Sequence, residues 1–94
     1  MIKYLESDLE KELGNGRILV DFYADWCGPC RMLGNVLEDL DSIEILKINV
    51  DKFPKIAQKY GVISIPTLII FDNLKPVKSM VGFLNRDELE SFLK

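Results

Sequence analysis

Cys27 and Cys30 are the only cysteines in a chain of 94 residues, and Gly28-Pro29 stands between them. Two intervening residues leave the sulfurs close enough for an intramolecular disulfide. The Gly-Pro turn places Cys27 where a helix is about to begin. Unpaired N–H groups and the helix dipole stabilise negative charge there, and the thiolate is the nucleophile of thiol chemistry. A Cys-x-x-Cys pair beside a β-α-β pattern therefore reads as a redox dithiol, with Cys27 as the exposed attacking thiol and Cys30, one turn into the helix, as the more buried resolving thiol. Two other readings exist. The pair could be a buried, static structural element, or half of a zinc or iron–sulfur site. The chain contains no histidine and no third cysteine, so a four-ligand site of the usual kind would need a second chain, and no metal is expected.

The elements that must position this pair can be read along the chain. Ile2 to Leu5 forms a short strand, and Ser7-Asp8-Leu9-Glu10 has the pattern of a capping box before a helix that ends at Gly14-Asn15-Gly16. Arg17 to Tyr23 is apolar except for Asp21 and lacks alternation, as expected of a strand covered on both faces. The dithiol follows it directly, past the carboxyl end of a strand, where open α/β sheets place their sites. A helix from about Pro29 to Leu40 puts Leu33, Val36, Leu37 and Leu40 on one side. Ile43 to Val50 is another buried strand, and Pro54 opens a short helix that closes at Gly61. Thr67–Phe71 and Val77–Val81 read as strands joined by a turn at Asp72-Asn73-Leu74-Lys75; Asn85, with Glu88 three residues on, caps a last helix. The order β-α-β-α-β-α-β-β-α calls for parallel strands first and an antiparallel pair last.

Composition narrows the class. Residues 1–94 form a single domain with no linker or repeat, and 48% hydrophobic content argues against disorder. A net charge of −3 without a basic cluster argues against nucleic acid as a partner. The longest apolar run is far short of a membrane span. The N-terminus turns acidic before a signal-peptide core develops, so a cytoplasmic location is expected by default; a monomer is expected as well. Asp21 is an ionisable residue inside an apolar strand. A solvent-facing gap is the plain alternative, but a strand covered on both faces has no wet side, so burial should raise its pKa.

The stretch from Val20 to Met32, Val-Asp-Phe-Tyr-Ala-Asp-Trp-Cys-Gly-Pro-Cys-Arg-Met, resembles the active-site segment of the thioredoxin family. Tyr60 to Leu68, with Ile65-Pro66-Thr67, resembles the family's cis-proline loop; Lys47 to Asp51 resembles its central strand, and Val81-Gly82 the glycine of the flanking loop. The resemblance spans essentially the whole chain. Four departures stand out: Asn35, after Gly34, replaces a helix-kinking proline; Leu74 replaces a turn glycine; Tyr23 stands where many members have tryptophan; and the connection at Asp41-Ser42 is short. They bear on helix shape and stability and leave the dithiol intact.

The resemblance implies a thioredoxin fold: a central mixed five-stranded sheet flanked by four helices. It implies that Asp21 is a water-mediated general acid/base for Cys30, that Lys47 on the adjacent strand is its partner, and that Pro66 is cis against the Cys27 sulfur. Otherwise Lys47 is a solvated strand residue, Pro66 a loop end and Trp26 a core aromatic. The cis turn would expose the Ile65 backbone to an extended substrate segment. Trp26, Gly28, Pro29, Ile65, Pro66, Gly82 and Phe83 would then frame a shallow apolar surface around the sulfur, suited to varied protein segments. The implied activity is protein-disulfide reduction by dithiol–disulfide exchange through Cys27 and Cys30. No cofactor is bound. A thioredoxin reductase drawing on NADPH restores the dithiol, so NADPH acts only indirectly. Two rivals use the same fold: an oxidant or isomerase with a less stable disulfide, and a non-enzymatic interaction module.

Overall fold

A computed structural model describes residues 1–94. Five strands, β1 (Ile2–Tyr4), β2 (Arg17–Tyr23), β3 (Glu44–Asn49), β4 (Thr67–Asp72) and β5 (Lys75–Val81), form one sheet in the order β1-β3-β2-β4-β5. β1, β3 and β2 run parallel, while β4 pairs antiparallel with both β2 and β5. Four helices, α1 (Leu9–Leu13), α2 (Gly28–Glu38), α3 (Pro54–Lys59) and α4 (Arg86–Leu93), complete it. The thioredoxin architecture expected above is therefore the one adopted.

Period-two alternation along the central strands sorts their side chains onto two faces. Ile18, Val20 and Phe22 of β2 join Leu46, Ile48, Ile69 and Phe71 on one face, covered by Leu13 of α1 and Ala57 of α3. Leu19, Ile45, Leu68 and Ile70 line the other, covered by Leu33 and Leu37 of α2 and by Leu89 and Phe92 of α4. Both faces of β2 are dry, which is why its residues 18–22 show no polar alternation, with Asp21 the one ionisable residue among them. Each large side chain fully buried here contributes about 1.5–3 kcal/mol relative to exposure. Asp21 shares the face of Leu19. In register it lies beside Lys47 of β3 and Leu68 of β4, and Lys47 lies beside Tyr4 of β1.

Local signals place most element ends. Asn85 and Glu88 form the expected capping box at α4. At α1 the expected box is corrected: Asp8, not Ser7, is the N-cap, its carboxylate accepting from the Glu10 N–H at 3.1 Å. The helix starts at Leu9, and the Glu12 carboxylate within it accepts the Glu6 N–H, two residues before the cap, at 3.1 Å. The β4–β5 turn has Asn73 at φ 51° and Leu74 at φ 70°, the left-handed geometry that suits tight hairpins but is unfavourable for leucine. β5 is exposed along its whole length, and its pairing with β4 shifts register between Ile70 and Phe71, opposite Pro76.

Candidate active site

β2 delivers the chain to the site, and the dithiol forms the first turn of α2. Cys27 is the N-cap, with φ −92° and ψ 111°, and its Sγ accepts the Cys30 N–H at 3.2 Å. Sulfur thus takes the place usually held by a capping oxygen. Pro29 occupies the first turn, where its missing N–H has no helical partner to lose. Cys27 and Cys30 are joined as a disulfide with a Cα–Cα distance of 5.2 Å. One expectation needs correction. Cys27 is not an exposed residue: it is 5% exposed and Cys30 2%. Both half-cystines belong to a small buried cluster with Ala24, against which Tyr23, Val50 and Ile65 pack in the oxidised protein.

The loop before β4 closes over this sulfur. The Ile65–Pro66 bond is cis, and the Ile65 carbonyl oxygen lies 3.9 Å from Cys27 Sγ. Thr67 Oγ1 donates to the Ser64 carbonyl at 2.6 Å, and the Gly82 N–H donates to the Pro66 carbonyl at 2.8 Å. Gly82 has φ 99°, a conformation that favours glycine, so the loop after β5 can turn beside the proline. Trp26 is 69% exposed, with its Nε1–H donating to Asp51 Oδ2 at 2.9 Å. Asn49 accepts from the backbone N–H of Asp51 at 2.9 Å and of Lys52 at 3.3 Å, fixing the turn that carries this acceptor.

Of the surface residues singled out from sequence, Trp26, Gly28 and Pro29 adjoin Cys27 in the chain. Ile65 meets the sulfur, and Pro66 is tied to Gly82. Sequence reasoning missed Asp51, which anchors the indole, and Ile63, which is 95% exposed two residues before Ile65. The available signal for Ile63 was an apolar residue in a loop opened by Gly61.

Behind the dithiol lies the buried acid. Asp21 is fully buried, and neither carboxylate oxygen has a hydrogen-bond partner. Lys47 Nζ stands 3.6 Å from Asp21 Oδ2, an ion pair longer than a hydrogen bond, so Lys47 acts chiefly through charge. Burial raises the Asp21 pKa from 3.8 to about 6, and the Lys47 charge offsets part of that rise. The Tyr23 phenol is pushed above its ordinary value, first by burial and then by the Asp25 carboxylate. A cavity of about 160 Å³ is lined by Tyr23, Ala24, Asp25, Cys30, Arg31 and Lys47. It has room for a few waters and runs from Cys30 to the Lys47 ammonium beside Asp21. No group of three His, Cys, Asp or Glu side chains is placed to hold a metal ion, and no helix is long and apolar enough to cross a membrane.

A family model described as thioredoxin matches residues 2–94. A thioredoxin of Staphylococcus epidermidis is 44% identical over 98 aligned positions, covering 99% of this chain and 94% of that protein. A thioredoxin of Staphylococcus aureus is 43% identical with the same coverage. Among solved structures, a mutant thioredoxin from Halobacterium salinarum NRC-1 superposes with a TM-score of 0.85 at 36% identity, covering 99% of this chain and 91% of that one.

Proposed function

The chain belongs to the thioredoxin family, and from that premise we propose how its residues divide the work of dithiol–disulfide exchange. The activity is that of a protein-disulfide oxidoreductase whose redox group is the Cys27–Cys30 pair, with no bound cofactor. In the reduced protein the Cys27 thiolate attacks one sulfur of a substrate disulfide. A Cys27–substrate bond forms, the substrate's own S–S bond breaks, and its first thiolate leaves. Cys30 then gives up its proton and attacks Cys27 Sγ. The Cys27–substrate bond breaks and the second substrate thiolate leaves, taking a proton from solvent. Two electrons have passed to the substrate, and the dithiol has become the disulfide.

The observation that carries this division is Cys27 at the N-cap with its sulfur on the Cys30 N–H. That contact and the helix dipole both favour a Cys27 thiolate. Asp21 is the proton acceptor for Cys30, through the cavity that runs from Cys30 to the Lys47 ammonium beside it, and Lys47 holds its pKa near neutrality. A carboxyl with a pKa of about 6 can take a proton in one step and release it in the next at neutral pH. Trp26, Gly28, Pro29, Ile65, Pro66 and Gly82 receive an extended substrate segment, with the Ile65 backbone available for strand-like pairing. A thioredoxin reductase, supplied by NADPH, returns the two electrons. The protein works as a single-domain monomer in the cytoplasm.

Insulin reduction by wild type and Cys27→Ser tests the reading. Catalysed precipitation of the insulin B chain by wild type and none by the variant is expected; equal activity would overturn it.

A further inference from the structure

We propose that Tyr4 and Tyr23 are positioning residues for the acid–base step, forming with the bare backbone of Gly34 a socket that holds the Lys47 ammonium against Asp21. The inference rests on the proton-acceptor role given to Asp21 and explains what keeps its partner in place.

Lysine ammonium groups normally reach for water along a flexible stem. The Lys47 side chain does not: it is 12% exposed although it lies one strand from the sheet edge. Its Nζ sits 4.7 Å from the centre of the Tyr23 ring and 5.7 Å from that of Tyr4. Both distances are within cation–π range, and desolvation strengthens such contacts. The two rings brace each other edge to face, 6.1 Å apart and inclined at 76°. On the α2 side the ammonium lies close to the Gly34 backbone, where a β-carbon would come within 3.4 Å of Nζ.

Sheet register assembles the socket. Tyr4, Lys47 and Asp21 are direct neighbours across β1, β3 and β2, and Tyr23 is two residues beyond Asp21 on the same face. The charged and titratable groups around the ammonium are Asp21 and Tyr23 on β2, Tyr4 on β1, Asp25 just after β2, and Cys30 and Arg31 on α2. β4 presents only Leu68 at the level of Asp21. Asp21 is thus the sole carboxylate paired with Lys47. An ammonium free to swing into water would leave burial of Asp21 less opposed, and its proton would be held to higher pH.

The test follows the Asp21 carboxyl by carbon NMR. It also follows ring closure by Cys30, read as the second thiol released from Ellman's disulfide, between pH 5 and 8.5. In Tyr4→Leu the Asp21 midpoint should rise by about one unit, the scale of one lost cation–π contact, and closure at pH 6 should slow about fivefold. Tyr23→Leu removes the nearer ring and should shift both further. Tyr4→Phe keeps the π face and should restore both readings. Tyr4 is largely exposed on a three-residue edge strand, so its replacement does not threaten the core. An unchanged midpoint and profile in Tyr4→Leu, or an equal shift in Tyr4→Phe, overturns the socket. Asp21→Asn separates this from its premise. If Asp21→Asn closes at the wild-type rate, the proton-acceptor role fails and the socket stands or falls on the NMR midpoint alone.

Discussion

Asp21→Asn should make the protein more stable at neutral pH, by an amount the structure sets. The carboxyl has a folded-state pKa of about 6 against 3.8 for the free group, a rise of about two units caused first by burial. At about 1.4 kcal/mol per unit this is roughly 3 kcal/mol. The sign follows from proton linkage. Below pH 3.8 both folded and unfolded chains carry the proton, and the group costs nothing. As pH climbs, the unfolded chain releases its proton first, so the folded state loses stability between about pH 4 and pH 6 and the full cost stands above that. The neutral amide nearly reproduces the shape of the protonated acid and has no proton to lose. The variant should match wild type near pH 3.5 and exceed it by up to about 3 kcal/mol at pH 8. Urea unfolding of the oxidised form at one-unit pH intervals measures this, with unchanged m-values showing that the unfolded state is the same. Closure by Cys30 should slow in the same variant. A constant stability difference between pH 4 and pH 8, or a variant less stable at pH 8, would show that Asp21 is a solvated or well-paired carboxylate and refute the reasoning.

In the reduced protein, iodoacetamide near neutral pH should alkylate Cys27 before Cys30, because the helix N-terminus favours the Cys27 thiolate; peptide mapping of partly labelled protein would reveal the opposite order. Cys30→Ser should accumulate mixed disulfides with substrate proteins on non-reducing gels, abolished by dithiothreitol. Comparable accumulation by Cys27→Ser would contradict the attacking and resolving roles. Leu74→Gly should stabilise the fold by about 1 kcal/mol by removing a leucine from a left-handed conformation, raising Tm by about 4–8 °C; calorimetry showing no rise would mean that the turn relaxes without cost.

What could be read from the sequence was what is local. Cys27 and Cys30 are separated by two residues, so their chemistry, their helix and their redox pairing sit within one turn of chain. Asn85 and Glu88 announce their cap for the same reason. Asp21 was legible because an acid inside an unbroken apolar run has no solvated side to occupy. The one-residue error at α1 arose because Ser7 and Asp8 are both competent caps, and only the start of the helix at Leu9 decides between them. The burial of Cys27 was not legible, because Val50 and Ile65, which pack against its cluster, lie far along the chain. Nor was the company of Lys47, since the register joining Tyr4, Lys47 and Asp21 is a property of parallel strands meeting over long sequence separations.

The exposed β5 strand bears on how crowded this protein can be. A molecule that must collide with many partners also collides with its own copies, and a bare sheet edge invites a copy to add a strand and continue the sheet. Here Lys75 and Lys78 make two like strands repel, and Pro76 supplies no N–H to either neighbour. The register shift opposite Pro76 spoils the flatness a partner strand would need. The opposite edge, β1, is only three residues long. Neither end of the sheet offers a long, flat, unbroken run for a copy to pair with, so the sheet is not primed to grow at its edges.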